Sequence, residues 1–121
     1  IVLGYRDELF LNEEFEPYGS VYLSSEDGMH GTKGNVIDAI KACAVTGDII
    51  YACGPTPMLR GIKQYAAEQN IRCEISLEEK MACGVGACLA CVCENVDEHS
   101  KVHNARICAD GPVFYAEEVE L

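Results

Sequence analysis

The sequence has little positive charge: nine Lys and Arg residues stand against 20 Asp and Glu, for a formal net charge of −11. Such a chain cannot neutralise a run of phosphates, which argues against non-specific binding to nucleic acids or to anionic membrane surfaces. No signal peptide is visible at the start of the sequence, and no apolar run approaches the roughly 18 residues of a membrane-spanning helix. With 121 residues, 49% of them hydrophobic, it is predicted to be a folded, soluble protein of the cytoplasm.

Two common phosphate-binding loops are absent as well, since neither G-x-G-x-x-G nor G-x-x-x-x-G-K-[ST] occurs in the chain. The chain begins with Ile1 rather than Met and enters an apolar, strand-like segment at once. We therefore expect a fragment of a longer protein, whose preceding part carries some of the function.

Residues 1–77 alternate between apolar strands and amphipathic helices. Strands are predicted at Ile1–Tyr5, Val21–Ser24, Ile49–Cys53 and Arg72–Ser76. Helices are predicted at Lys33–Ala44 and Pro55–Asn70, while Leu9–Tyr18 fits a short helix or a loop. This alternation predicts an α/β fold with crossover connections and a parallel sheet, in which Cys43 and Cys73 are core residues.

Residues 78–121 have a different character, with five of the eight cysteines and no long helix. Short strands are predicted at Leu89–Cys93, Val102–Ile107 and Val113–Tyr115. The apolar core of so small a segment would be thin on its own. Segments of this kind usually need a metal or a disulfide to stay folded. We therefore predict two domains, one over 1–77 and a smaller one over 78–121.

Four cysteines of the second domain form the pattern C-x4-C-x2-C…C, at Cys83, Cys88, Cys91 and Cys108. This is the plant-type spacing of [2Fe–2S] ligands, in which three thiolates lie on one loop and the fourth returns from a distant segment. Glycines at 84 and 86 keep that loop free of bulk and let its amides turn toward the cluster sulfurs. Crowding of cysteines and the missing export signal argue against a disulfide framework.

Zinc is the competing metal. A finger built from Cys88, Cys91, His99 and His103 fails, because only seven residues separate Cys91 from His99, where about 12 to 15 are usual. A zinc site made of the same four thiolates stays open on spacing alone. Cys93 is predicted not to be a ligand. Alternate residues of an extended segment share a face, so its position two residues after Cys91 is explained if it simply lines the cluster pocket.

A candidate nucleotide site follows the predicted strand at Ile49–Cys53, where Cys53-Gly54-Pro55 leads directly into a helix. Ligands of open α/β sheets bind at the carboxyl ends of strands, and a helix N-terminus attracts negative charge. Strand–Gly-Pro–helix joints are also common structural devices, so the local chemistry alone does not decide between the two interpretations.

Taken together, these motifs resemble a known family. The order Gly4-x-Arg6, Ser24-Ser25-x-Asp27-Gly28 and Cys53-Gly54-Pro55-x-x-Met58 is similar to the pyridine-nucleotide domain of the ferredoxin reductase superfamily. The stretches 76–88, 91–93 and 107–114 look like the electron-transfer subunits of NAD-dependent, class B dihydroorotate dehydrogenases. The resemblance implies a partial Rossmann-like, parallel-sheet nucleotide domain followed by a small plant-type, ferredoxin-like [2Fe–2S] domain.

The resemblance also implies a function. Electrons would pass from an FMN-containing catalytic subunit that oxidises dihydroorotate, through the [2Fe–2S] cluster and FAD, to NAD⁺ in pyrimidine biosynthesis. The partners would form a heterotetramer, and FAD would be held mostly by the missing N-terminal region. No catalytic residue is assigned to this chain; Cys53, Gly54 and Pro55 would lie beside the nicotinamide. Contacts on the adenosine side would come from Arg6, Ser25 and Asp27.

NAD is preferred to NADP, because Asp7 and Glu8 next to Arg6 would oppose a 2′-phosphate. Two alternatives remain. One is a related flavin and iron–sulfur subunit serving hydrogenase, sulfide dehydrogenase or ferredoxin:NADP chemistry. The other is a non-redox, zinc-binding module.

Overall fold

The computed structural model describes residues 1–96, 99 and 101–121. Its contacts divide the chain into two compact units, Ile1–Thr46 and Gly47–Leu121. The predicted domain boundary after residue 77 lies inside the second unit and stays a prediction. Among the helices of the described residues, none is both long and apolar enough to cross a membrane.

The first unit is a three-stranded parallel sheet with one helix against it. Strands β1 (Val2–Tyr5), β2 (Tyr22–Ser25) and β3 (Thr32–Lys33) lie in that order, with Gly4 opposite Ser24. Helix α2 (Val36–Ala42) begins at Asn35, whose Oδ1 accepts the amide of Ile37 at 2.8 Å. The Asp38 carboxylate in turn accepts a hydrogen bond from the Asn35 amide, and this capping box defines the start of the helix.

The segment Leu9–Tyr18, predicted as a short helix or a loop, contains a short helix, α1 (Asn12–Phe15), and a 3₁₀ turn, Glu16–Tyr18, neither of which buries a side chain. Two other details of the first unit differ from the predictions. Strand β3 was not predicted, because two residues give no periodicity. The prediction of a core position for Cys43 is wrong: the thiol is exposed, since α2 ends at Ala42 and Ala44 has a left-handed φ of 49°.

The second unit begins with a parallel pair, β4 (Ile49–Cys53) and β5 (Arg72–Ser76), joined by α3 (Thr56–Gln69). Apolar side chains at helical spacing bury one face of α3, namely Leu59, Ile62 and Ala66. Ile75 and Cys73 are buried on β5, which confirms Cys73 as a core residue. The parallel pairing predicted from hydrophobic periodicity is confirmed within each unit. Helix α3 is the predicted crossover between β4 and β5, whereas α2 follows β3 and precedes β4, which belong to different sheets, so α2 is confirmed as a helix but not as a crossover.

The cysteine-rich segment completes that same sheet. Strands β6 (Val92–Val96) and β7 (Val102–Arg106) form an antiparallel hairpin. After it, β8 (Val113–Tyr115) pairs antiparallel with β5, and Ile75 lies opposite Phe114. The predicted strand at Leu89–Cys93 is therefore wrong in its start, since pairing with β7 begins only at Val92.

Candidate metal centre

A loop without helix or strand, residues 77–91, connects β5 to β6 and carries three of the four predicted ligands. Two of its glycines have left-handed backbone conformations, with φ of 68° at Gly84 and 76° at Gly86. A Cβ on Gly86 would lie 2.9 Å from the Cβ of Ala109, so this position also requires the absence of a side chain. The glycines predicted to shape the loop thus have two distinct physical roles.

Backbone amides of this loop point toward the sulfur of Cys83. The Cys88 amide donates to Cys83 Sγ at 3.4 Å. Together with the amides of Val85 and Ala87, it lowers the pKa of the Cys83 thiol to about 6. A thiol with so low a pKa is largely thiolate at neutral pH, which is the form that binds metals.

The thiols of Cys91, at the end of this loop, and Cys108 contact each other. Cys91 is 2% exposed, and its carbonyl accepts the amide of Ile107 at 3.0 Å, which brings the Cys108 segment alongside. A hydrogen bond with the Cys91 sulfur raises the pKa of Cys108, and burial adds to the increase. Hydrogen bonds therefore connect Cys83 with Cys88 and Cys91 with Cys108. Among the described residues, no three Cys, His, Asp or Glu side chains already stand as a ligand set.

Cys93 is engaged elsewhere. It lies on β6, and its thiol donates to the carbonyl of Ala105 on the facing strand at 3.6 Å. Partial burial raises the pKa of Cys93, the opposite of what a ligand thiolate needs. These contacts support its exclusion from the ligand set.

Two residues that the sequence reasoning missed join the loop to the turn around Cys108. The guanidinium of Arg106 binds both carboxylate oxygens of Asp110, at 2.9 and 3.0 Å. Its remaining nitrogen donates to the carbonyl of Gly86 at 3.0 Å. The Arg106 hydrogen bonds lower the pKa of Asp110 to about 2. The only sequence signal was their placement two residues on either side of Cys108.

The predicted nicotinamide residues lie at the carboxyl end of β4. Cys53 ends the strand and is exposed, and its Sγ lies 3.9 Å from Oε1 of Glu78. Gly54 has a φ of 154°, and Pro55 immediately precedes the first residue of α3. The amide groups that begin a 14-residue helix are therefore next to this turn, an arrangement that suits an anionic cofactor.

The predicted adenosine residues lie at or just after the carboxyl ends of strands of the first unit: Arg6 follows β1, Ser25 ends β2, and Asp27 comes two residues later. Asp27 is exposed, and hydrogen bonds from the Met29 amide and the Ser25 hydroxyl lower the pKa of Asp27. Ser25 is fully buried, and its oxygen also accepts the amide of His30 at 3.1 Å. Ser25 is thus placed to orient the Asp27 loop. Arg6 is exposed just after β1.

Known proteins are similar to this chain, both in its cysteine-rich segment and over nearly its whole length. Residues 78–120 match the family described as the iron–sulfur cluster binding domain of dihydroorotate dehydrogenase B. The chain is 48% identical, over 98% of its length and 48% of the relative, to a protein from Caldanaerobacter subterraneus. It is 42% identical, over 100% of its length and 47% of the relative, to one from Fusobacterium nucleatum. Both are named electron transfer subunit of dihydroorotate dehydrogenase B (NAD(+)).

A solved structure extends the similarity to the fold. It concerns an NADH-dependent reduced ferredoxin–NADP oxidoreductase studied for flavin-based electron bifurcation. One of its chains matches 98% of this chain over 43% of its own length, with 31% identity and a TM-score of 0.82. The chain spans about half the length of the curated relatives it matches. The resemblance to dihydroorotate dehydrogenase B electron transfer subunits is confirmed, and residues 78–120 of this α/β fold match an iron–sulfur cluster binding domain.

Proposed function

We propose that this chain is part of an electron-transfer subunit whose four cysteines, Cys83, Cys88, Cys91 and Cys108, hold a [2Fe–2S] cluster. The subunit would relay electrons to NAD⁺ from an FMN-containing partner that oxidises dihydroorotate to orotate in cytoplasmic pyrimidine biosynthesis. FAD would be bound mainly by the half of the relatives' length that this chain does not span. The observation that carries the proposal is the amide-lined loop around Cys83, within the segment that matches the cluster-binding family.

The four thiols fit the cluster chemically. When bound, a [2Fe–2S] cluster supplies a centre that takes up one electron at a time. The amides at residues 85, 87 and 88 stabilise negative charge on Cys83, and the same donors would stabilise a ligated sulfur. Burial of Cys91 keeps water from one side of the site. Thiolate ligands also suit zinc, which is why a metal count belongs in the test.

The rim of the loop suits a partner protein. Met81, Val85 and Leu89 are 51%, 76% and 76% exposed, although all three are large apolar side chains. Exposed apolar groups around a polar centre favour docking of a second protein. We therefore assign this rim to the FMN-containing subunit, within a heterotetramer.

The nicotinamide end of the relay is assigned to Cys53, Gly54 and Pro55. The amino end of α3 would attract the pyrophosphate of the dinucleotide, because its first amides lack helical partners. The charged Asp27 would accept a hydrogen bond from a ribose 2′-hydroxyl and repel a 2′-phosphate, in favour of NAD. Arg6 and Ser25 complete the adenosine side.

The test is metal analysis of the full-length protein, purified without oxygen, with visible absorption and EPR of the dithionite-reduced sample. We expect brown protein, about two irons per chain and a rhombic reduced signal. Co-expression with the FMN-containing subunit should give a complex that reduces NAD⁺ with dihydroorotate. One zinc per chain without iron would refute the electron relay and leave the zinc-binding module.

A second candidate has an observation of its own. The solved structure with a TM-score of 0.82 belongs to a ferredoxin–NADP oxidoreductase, so a related reductase subunit fits the same fold. Purified complexes distinguish the two. Electron transfer from reduced ferredoxin to NADP⁺, without dihydroorotate oxidation, would favour this alternative.

A further inference from the structure

Arg106 ends β7, two residues before Cys108, and its side chain reaches into the cysteine loop. Nε and Nη2 bind the Asp110 carboxylate, and Nη1 donates to the carbonyl of Gly86. Gly86 lies between Cys83 and Cys88 in the sequence. One guanidinium therefore connects the loop that carries three cysteines to the turn that carries the fourth.

The turn around Cys108 is closed on both sides by the same two residues. The Asp110 amide donates to the carbonyl of Arg106 at 2.7 Å, and the Arg106 amide donates to Asp110 Oδ2 at 2.8 Å. Only arginine offers a planar fork that binds a carboxylate with two nitrogens while a third faces another acceptor. Lysine would keep the charge and lose this geometry.

We propose that Arg106 and Asp110 form a latch that holds the Cys108 turn against the cysteine loop and so retains the cluster. Both are positioning residues, since neither is offered as a ligand. The inference rests on the proposed function, because it requires a cluster bound by the four cysteines. The latch also places a positive and a negative charge at fixed positions beside those thiolates.

Because the two residues carry opposite charges, the effect of the latch can be distinguished from a general loss of packing. Loss of either residue opens the latch, so R106Q and D110N should both release iron faster. Their effects on the reduction potential should be opposite. Without the cation of Arg106 the reduced, more negative cluster is disfavoured, whereas without the anion of Asp110 it is favoured.

The experiment uses the full-length protein with its cluster bound. Iron release to a chelator and an EPR-monitored redox titration are measured for wild type, R106Q, D110N, R106K and R72Q. R72Q is the matched control, because Arg72, an exposed residue of β5, likewise binds a carboxylate, that of Glu74, at 2.7 Å. We expect R106Q and D110N to release iron about tenfold faster than wild type, as fits loss of charge-assisted hydrogen bonds at a half-exposed site.

The reduced-to-oxidised ratio at a fixed potential should fall about threefold in R106Q and rise by a similar factor in D110N. R106K should keep the wild-type potential and release iron at an intermediate rate. R72Q should match wild type in both measurements. The inference is overturned if R106Q and D110N release iron no faster than R72Q, or if their potentials shift in the same direction.

Failure of the proposed function would look different. In that case the wild-type protein would contain no iron, whatever the variants do. If R106Q does not fold, R106K still decides the question, because it retains the charge and removes only the fork. A wild-type rate of iron release from R106K would overturn the latch.

Discussion

Replacing Gly86 by Ala tests how closely the cysteine loop packs on the Cys108 turn. Gly86 has a φ of 76°, and an added Cβ would lie 2.9 Å from Ala109 Cβ and 3.2 Å from Arg106 Nη1. Ala109 directly follows Cys108, so relief of this contact must displace the fourth cysteine. The same substitution at Gly84 is the matched control. Its φ is 68°, and its Cβ would meet no atom of the described residues within 4 Å.

The two variants share the cost of a left-handed alanine, about 1–2 kcal/mol. Only Gly86→Ala adds the cost of overpacking, about 1–3 kcal/mol. Since about 1.4 kcal/mol corresponds to a tenfold change, Gly86→Ala should lose its cluster about five- to a hundredfold faster than Gly84→Ala. The rate is followed as bleaching of visible absorption in mild denaturant. Equal rates for the two variants would refute the packing of the loop on the Cys108 turn.

Three further predictions test the ligand set, the fold and the ion pair. Cys108→Ser should abolish the visible and EPR signals, while Cys93→Ser should keep them; the reverse result would contradict the ligand assignment. Phe114→Ala should lower the free energy of unfolding by about 3–5 kcal/mol, because Phe114 is buried and lies opposite Ile75 of β5. A loss under 1 kcal/mol in denaturant titration would argue against the β5–β8 pairing. Arg106 lowers the pKa of Asp110 from 3.8 to about 2, so its carboxyl should titrate near pH 2 by NMR. This ion pair should therefore stabilise the fold above about pH 4 and cease to do so as pH falls through 2; a midpoint near 4 would show that the pair is not formed.

Much of the α/β architecture follows from local patterns. Strands β4 and β5 have the predicted bounds. Helix α3 begins and ends within one residue of its own predicted bounds, Pro55–Asn70. Hydrophobic spacing determines these elements, since it reports which face of a helix or strand is buried. Helix ends are less predictable, as the exposure of Cys43 shows. A left-handed residue at position 44 ends α2, and no hydrophobic spacing marks it.

The candidate metal centre divides in the same way. The four cysteines could be identified from spacing, because a small inorganic core requires ligands at short, regular intervals on one loop. Arg106 and Asp110 could not be identified from the sequence, because charged residues beside a cysteine are common in loops. Their role becomes apparent only from the contact of Arg106 with the Gly86 carbonyl. Burial of Ser25, whose oxygen accepts the amide of His30, could not be predicted either, since no local pattern marks it.

The sequence by itself determined the order of strands and helices, the absence of standard phosphate loops and the C-x4-C-x2-C…C spacing. Each of these features depends on residues close together in the chain, so it can be predicted from the local sequence. Only the tertiary structure decided that β8 joins the sheet of β5, with Glu74 opposite Tyr115, and that Arg106 joins the Cys108 turn to Gly86. Those contacts join segments far apart in the chain, and which segments meet is decided by packing against neighbours in three dimensions rather than by a local pattern.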